Sequence, residues 1–299
     1  MRVTYIDKIM RKKIAILFRK LLTLISPTLN TKIVYYRTFH KRINLEHPTT
    51  LNEKVMWYKL HQYNHDPLVA QCADKYLVRS YIRDCGCENI LVPLCGVYDN
   101  FEDINISELP QQFVIKSTYA SGMYIIVKDK SKVDWESVRK STIQWKKSTS
   151  HLINSELQYS TPHRIIIEQF IPSPHGEQPD DYKIYCINGK PGVCMVCVGR
   201  QKGVHPKFYI MDKNANLLRD WSYDGLNAPA DFVYHKPQGW DDLYKYAAIL
   251  SKPFPLVRCD FYLSNGKVYF GELTFTSCAG LDTDFTDKGA FEITKELVI

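Results

Sequence analysis

The chain has 299 residues, 45% of them hydrophobic and 24% charged. These are globular proportions, long enough for two domains or one domain with a lid, and they exclude a disordered or fibrous chain. A net charge of +7 and a pI of about 8.8 suit an anionic ligand or surface, such as a nucleotide, an acidic sugar polymer, a nucleic acid or an anionic lipid.

Residues 1–26 carry Arg2, Lys8, Arg11, Lys12, Lys13, Arg19 and Lys20 against one acid, Asp7. Ile9, Ile14, Leu17, Leu21 and Leu24 recur at helical spacing, which predicts a basic amphipathic helix ended by Pro27. The expectation is a helix docked on the body with its basic face in water; the alternative is peripheral contact with the inner membrane. Short helices and loops follow over 28–70, where Thr50-Leu51-Asn52-Glu53 stands before an apolar helical pattern. One helix is predicted over 72–84, stopped at Gly86. FVIKSTYASGMYIIVKDK reads as strand, loop, strand: Lys116 closes the first strand and 117–122 form a flexible turn. Such a turn can lay backbone N–H groups against phosphates, although it lacks the spacing of a Walker A loop. An exposed hairpin with a solvated lysine is the plainer reading.

Residues 134–149 read as an exposed helix and RIIIEQFI, 164–171, as a buried strand. Strand pairs are expected around Asn188-Gly189 and Asn214, a helix over 240–252 closed by Pro253, and a capping helix within 282–299. Strands at the centre and helices at the ends predict an α+β fold. The nine cysteines form no disulfide framework: Cys85-x-Cys87 is too close for ordinary zinc chelation, and Cys194-x-x-Cys197 lies in an alternating strand. They read as reduced thiols of a cytoplasmic protein. No apolar run reaches transmembrane length and no signal peptide is visible.

The stretch VRCDFYLSNGKVYFGELTFTS, 257–277, reads as a β-hairpin at Asn265-Gly266. A two-residue loop places Asp260 and Glu272 on opposite faces. A three-residue loop with Gly266 in a bulge places them on one face, with Arg258 across from Glu272. The second register is expected, because two carboxylates beside an arginine then form a hard-cation site able to hold Mg²⁺ on substrate phosphates. The plainer alternative is a half-solvated hairpin with an Arg–Glu pair.

The blocks ADKYLVR, PLCGVYDNFEDI, LPQQFVIKSTYASGMYIIVKDK, RIIIEQFI, DYKIYCINGKP and FPLVRCDFYLSNGKVYFGELTFT together resemble the ATP-grasp superfamily, over about 35–285. They look most like its TupA-like branch, named for teichuronopeptide synthesis and found with surface-polysaccharide genes. The resemblance implies two α+β lobes clamping ATP, divided here into an N-terminal helical region (1–70), a lid lobe (71–167) and a second lobe with the Mg²⁺-binding hairpin (168–299). It implies that Lys75 and Lys116 reach the nucleotide, and that the loop with Ser121 and Gly122 closes over phosphates. Glu168, Gln169, Phe170 and Ile171 would form the hinge that reads adenine. Asp181 and Lys183 would act as a paired acid and base near the acceptor. Asp260, Glu272 and Thr274 would hold Mg²⁺, with Arg258 beside the acyl phosphate. The sequence departs from the branch's pattern at Tyr119 and Ala120, at Thr274 where asparagine is usual, and at Ser277 and Cys278 in place of proline and glycine.

The function implied is an ATP-dependent carboxylate–amine ligase that joins an amino acid or amine to a uronic acid of a surface polysaccharide or its precursor. The basic segment with Arg200, His205 and Lys207 is the expected uronate site, a solvated loop being the alternative. A glycosyltransferase and a non-catalytic nucleotide-binding scaffold are the competing readings. For the former the sequence offers only Asp282-x-Asp284 as a metal motif. No recognition-helix or aromatic-platform motif points to nucleic acid.

Overall fold

Two antiparallel sheets, one of four strands and one of five, border a cleft, and helices cover their outer faces. The computed structural model describes residues 5–119, 121–172, 179–199 and 206–299, with 5–9 by backbone alone. The mixed helix and sheet content agrees with the α+β expectation.

The first helices are α1 (Tyr5–Ile25) and α2 (Pro27–Phe39). Pro27 does not merely stop α1. It occupies the first turn of α2, where its fixed φ is favourable, and Ser26 caps that helix through Leu29 N. The orientation of α1 is the reverse of the docked expectation. Its body-facing side is largely polar: Thr23 meets Ser155 at 2.8 Å, Asn30 donates to both, and Lys20 donates to Thr149. Among its described side chains Leu22 is the one large apolar residue it buries, and Met10, Ile14, Leu17, Leu21 and Leu24 stand in solvent.

Helix α3 (Leu51–His61) starts at a capping box in which Thr50 and Glu53 satisfy each other's backbone N–H groups. The helix expected over 72–84 is two helices, α4 (Pro67–Ala73) and α5 (Val78–Asp84). Asp74 breaks it by accepting from Tyr76 N and Leu77 N at 2.8 and 2.9 Å, a local turn that competes with helix continuation. That turn lifts Lys75 out of the helix surface, and Lys75 N bonds to Thr118 O at 2.7 Å.

The four-stranded sheet comprises β1 (Leu94–Tyr98), β2 (Phe113–Ser117), β3 (Tyr124–Val127) and β4 (Ile165–Gln169), in the order β1-β4-β2-β3. Phe113 and Ile115 on β2, with Ile165 and Ile167 on β4, pack against Val138 of α6 (Trp135–Lys146). Strand alternation therefore turns Val114 and Lys116 to the other face, toward the cleft.

The five-stranded sheet comprises β5 (Asp181–Ile187), β6 (Lys190–Val198), β7 (Lys207–Met211), β8 (Leu256–Ser264) and β9 (Lys267–Thr274), in the order β7-β6-β5-β8-β9. After β7 comes the short α7 (Tyr223–Leu226). Helix α8 (Trp240–Leu250) then lays Trp240, Leu243, Ala247 and Leu250, all fully buried, on β5 and β6. Each of the two leucines contributes about 1.5–3 kcal/mol on burial. The expected tail helix is confined to α9 (Asp287–Glu292).

The β8–β9 hairpin corrects the expected register. The turn is the two-residue one: Asn265 and Gly266 both have positive φ, and Ser264 pairs with Lys267. A β-bulge then inserts Gly271 between the pairs Phe261–Phe270 and Asp260–Glu272. The two acids become direct cross-strand partners on one face, and Arg258 lies across from Thr274, not Glu272. All nine cysteines are free thiols. Among the described residues no helix is long and apolar enough to cross a membrane.

Candidate active site

The cleft encloses a cavity of about 220 Å³. The first sheet supplies Val114, Lys116, Tyr124 and Ile126, and the second supplies Asp181, Lys183, Arg258, Asp260 and Glu272. Lys75 enters from the α4–α5 turn, Ser121 and Gly122 from the β2–β3 loop, and Gln169, Phe170 and Ile171 from the segment joining the sheets. Among the cavity's lining residues four cations face three acids.

Two buried ion networks organise those charges. On the second sheet, Asp260 accepts from Arg258 through two nitrogens, both at 2.7 Å, and from Lys183 at 3.0 Å. Lys183 also meets Asp181 at 2.8 Å. Burial alone would lower the Lys183 ammonium, but Asp181 and Asp260 outweigh it and hold its pKa above the ordinary value. The Arg258 guanidinium is likewise held fully charged, its burial outweighed by Asp260. Burial would raise the Glu272 carboxyl, yet Lys75, Lys183 and Arg258 overcome it and hold its pKa at about 2. Lys75 stands 3.5 Å from that carboxylate.

On the first sheet, Glu168 does not line the cavity. It is buried beneath it, between Lys116 at 2.7 Å and Arg79 at 3.0 Å, and Arg79 is anchored in turn on Val92 O. Glu168 thus aims Lys116. Gln169 N is committed to Pro93 O.

Thr274 bridges the two metal candidates: its Oγ is 2.9 Å from Glu272 Oε1 and 3.4 Å from Asp260 Oδ2. Two carboxylates and a hydroxyl form an oxygen-only donor set. No cluster of three or more His, Cys, Asp or Glu suited to a metal occurs among the described residues. This fits Mg²⁺, which takes one or two protein carboxylates and completes its shell with water and phosphate oxygens. It does not fit an all-protein cage.

The substituted positions behind the site carry contacts of their own. Ser277 accepts from Arg258 Nη1 and donates to Asp282, which is buried and whose backbone N–H donates to Asn52 Oδ1 while its carbonyl accepts from Asn52 Nδ2. Asp282 therefore sits behind Arg258, outside the cavity lining, which argues against the Asp282-x-Asp284 metal motif. The loop 117–122 is not flexible throughout: Thr118 and Tyr119 are fully buried. The Tyr119 ring stacks on His163 with centroids 3.5 Å apart, and its hydroxyl donates to Trp145 O and Ser148 O. Of the described residues of this loop, Ser121 and Gly122 reach the cavity.

Of the proposed uronate residues, Arg200 and His205 lie outside the described residues. Lys207 is exposed at the start of the edge strand β7 and does not line the cavity. Sequence reasoning missed Val114 and Ile126, which strand alternation from Lys116 and Tyr124 would have found. It also missed Arg79, and it named Asp282 only as part of a metal motif; nothing local in the sequence signals the buried role of either.

A family profile described as TupA-like ATPgrasp matches residues 53–297. No curated protein matches. Similar solved structures include the ADP complex of purK, N5-carboxyaminoimidazole ribonucleotide synthetase, at 13% identity over 75% of this chain and 50% of that one, with a TM-score of 0.44. D-alanine–D-alanine ligase from Bacillus anthracis complexed with ATP is 15% identical over 76% of this chain and 66% of that one, with a TM-score of 0.45. The ATP-grasp ligase PsnB complexed with a phosphomimetic variant of minimal precursor, Mg and ADP is 12% identical over 75% and 57%, with a TM-score of 0.40. The chain thus spans half the length of the first of these proteins and about two thirds of the second.

Proposed function

Because the chain belongs to the TupA-like ATP-grasp family, we propose that it is an ATP-dependent carboxylate–amine ligase, joining an amino acid or amine to a uronic acid of a surface polysaccharide or its precursor. The observation that carries this reading is the meeting of Lys75, Lys116, Lys183 and Arg258 with Asp260 and Glu272 around one cavity. ATP carries more negative charge than four cations already paired with acids can neutralise unless those pairs are exchanged. Lys75 and Lys116 would leave Glu272 and Glu168 for phosphate oxygens. Asp260, Glu272 and Thr274 would hold Mg²⁺, which supplies charge neutralisation between the phosphates. Val92, Val114 and Ile126 would flank the adenine, with the backbone of Gln169, Phe170 and Ile171 along its edge, and Ser121 and Gly122 would cover the phosphates.

Phosphoryl transfer asks the protein for positioning and charge stabilisation more than for covalent help. An oxygen of the uronate carboxylate attacks the γ-phosphorus and the bond to ADP breaks. Arg258, whose charge is secured by Asp260, faces the transferring group and stabilises the negative charge on its oxygens. The amine nitrogen then attacks the acyl carbon, and phosphate leaves with the electron pair of the C–O bond. Asp181, paired with Lys183, is the nearby acceptor for the proton that the nitrogen sheds.

The test is product analysis with purified protein, Mg·ATP, candidate uronates and amines. ADP, phosphate and an amide in equal amounts are expected. Release of a nucleoside diphosphate from a sugar donor would replace the ligase with a transferase. Nucleotide binding without turnover on any acid would leave a scaffold.

A further inference from the structure

Between Lys8 and Leu45 the chain holds ten Lys and Arg residues and no acid, against +7 for the whole chain, so the rest of the molecule is net negative. Nearly all the basic excess is therefore concentrated on the N-terminal helices. Helix α1 also turns an apolar stripe outward. Met10, Ile14, Leu17, Leu21 and Leu24 follow the 3- and 4-residue spacing of one helix face, with Phe18 and Ile25 beside them, and each is 52–81% exposed. The stripe is outward because the opposite side of α1 is held to the body by Thr23, Arg19 and Lys20, which bond to Ser155, Asn154 and Thr149. At the helical angle of about 100° per residue, Arg11 lies at one edge of the stripe and Lys13 at the other. Both are exposed, as is Lys12.

We propose that the outward face of α1 docks on an anionic lipid surface, lying in the plane of the interface with its apolar stripe among the acyl chains and Arg11 and Lys13 at the headgroups. An apolar stripe bordered by cations on a helix too polar to span a bilayer is the pattern of an interfacial helix. Charge selects this occupant over a second copy of the chain, which would bring ten cations against ten. Nucleic acid would match the cations but would leave the apolar stripe in water.

Co-sedimentation of the full chain with vesicles tests this. Binding to phosphatidylcholine–phosphatidylglycerol vesicles is expected, with little to phosphatidylcholine alone and release by high salt. Replacing the two flanking cations (R11Q/K13Q) should weaken binding about twenty-fivefold, since each contributes roughly one factor of five near an anionic surface. The apolar pair Phe18→Ser and Leu21→Ser should weaken it at least about tenfold. All these side chains are exposed, so thermal unfolding of the variants should match the parent. Failure to bind anionic vesicles, equal binding to neutral ones, or unchanged binding by the variants would overturn the proposal. So would a concentration-dependent dimer that F18S/L21S abolishes, which would assign the stripe to a second copy. None of these outcomes bears on the ATP cavity, so the ligase reading stands or falls separately.

Discussion

Gly271 is the residue on which the proposed metal-binding geometry turns. Its φ is not positive, so backbone freedom is not the reason for glycine there. Space is the reason: a Cβ at this position would lie 2.9 Å from Asp260 O and 3.3 Å from Tyr262 Cε2. The nearer atom is backbone and cannot rotate away, so Gly271→Ala must open the bulge or push Asp260 aside. Overpacking of this kind costs about 1–3 kcal/mol. For a chain of this size that is a fall in Tm of about 2–10 °C. The sharper effect should be on the ligand. Asp260 and Glu272 face each other only because the bulge shifts the register, so the Mg²⁺ position proposed between them should be lost with it. At a hundredfold excess over Kd, Mg·ATP should stabilise the parent by about 2.7 kcal/mol, and a tenfold weaker Kd removes about half of that. Thermal unfolding with and without Mg·ATP measures both effects. Gly192→Ala is the control: its Cβ would meet Tyr185 O at 3.3 Å, far from the acids in sequence and on another strand, and it should leave the ligand-induced shift intact. If Gly271→Ala lowers Tm yet keeps the full Mg·ATP shift, the bulge is only a packing feature and the reasoning about the metal site fails.

Asp260→Asn should destabilise by about 3–5 kcal/mol in urea unfolding, because it removes the charge that Arg258 and Lys183 share in a buried site. Unchanged stability would show that the two cations find other partners. Glu272 predicts an acid limb. Its folded-state pKa, about 2, is depressed below the ordinary carboxylate value, so its stabilisation is full above that ordinary value and is lost as pH falls toward 2. Glu272→Gln should flatten the stability–pH curve in that window, and an unaltered curve would remove Glu272 from the ion network. Tyr119→Ala should cost about 3–5 kcal/mol through the lost ring and release the β2–β3 loop to proteolysis. A loop as protease-resistant as the parent's would mean that the stack on His163 does not anchor it.

The sequence was most informative where one residue type can do only one thing. Lys116 near the end of a strand, a hairpin reversal at Asn265-Gly266 and the capping residues Thr50 and Glu53 could be read locally, because backbone geometry and short-range hydrogen bonds decide them; the two-residue length of that turn could not. The shared face of Asp260 and Glu272 was anticipated for the wrong reason. A bulge at Gly271, not a longer loop, produces it, and a glycine within a strand pattern is the one local hint of such a bulge. Asp74 reads as a helix residue in the sequence, because its side chain's competition for the backbone shows only in the folded turn. The buried partners Arg79 and Asp282 lie 89 residues from Glu168 and 24 from Arg258, and tertiary packing alone pairs them with the site. The outward stripe on α1 was equally hidden. Periodicity marks an apolar face but does not say which side of the helix the rest of the chain will hold.

The most direct test of a Mg·ATP site between the two sheets is calorimetric titration of the parent and Lys116→Ala with ATP and UTP, with and without Mg²⁺. Magnesium-dependent binding that favours ATP and is weakened about tenfold or more by Lys116→Ala, in a variant that stays folded, is the expected result. Equal affinity for the two nucleotides, or parental affinity in Lys116→Ala, would contradict it.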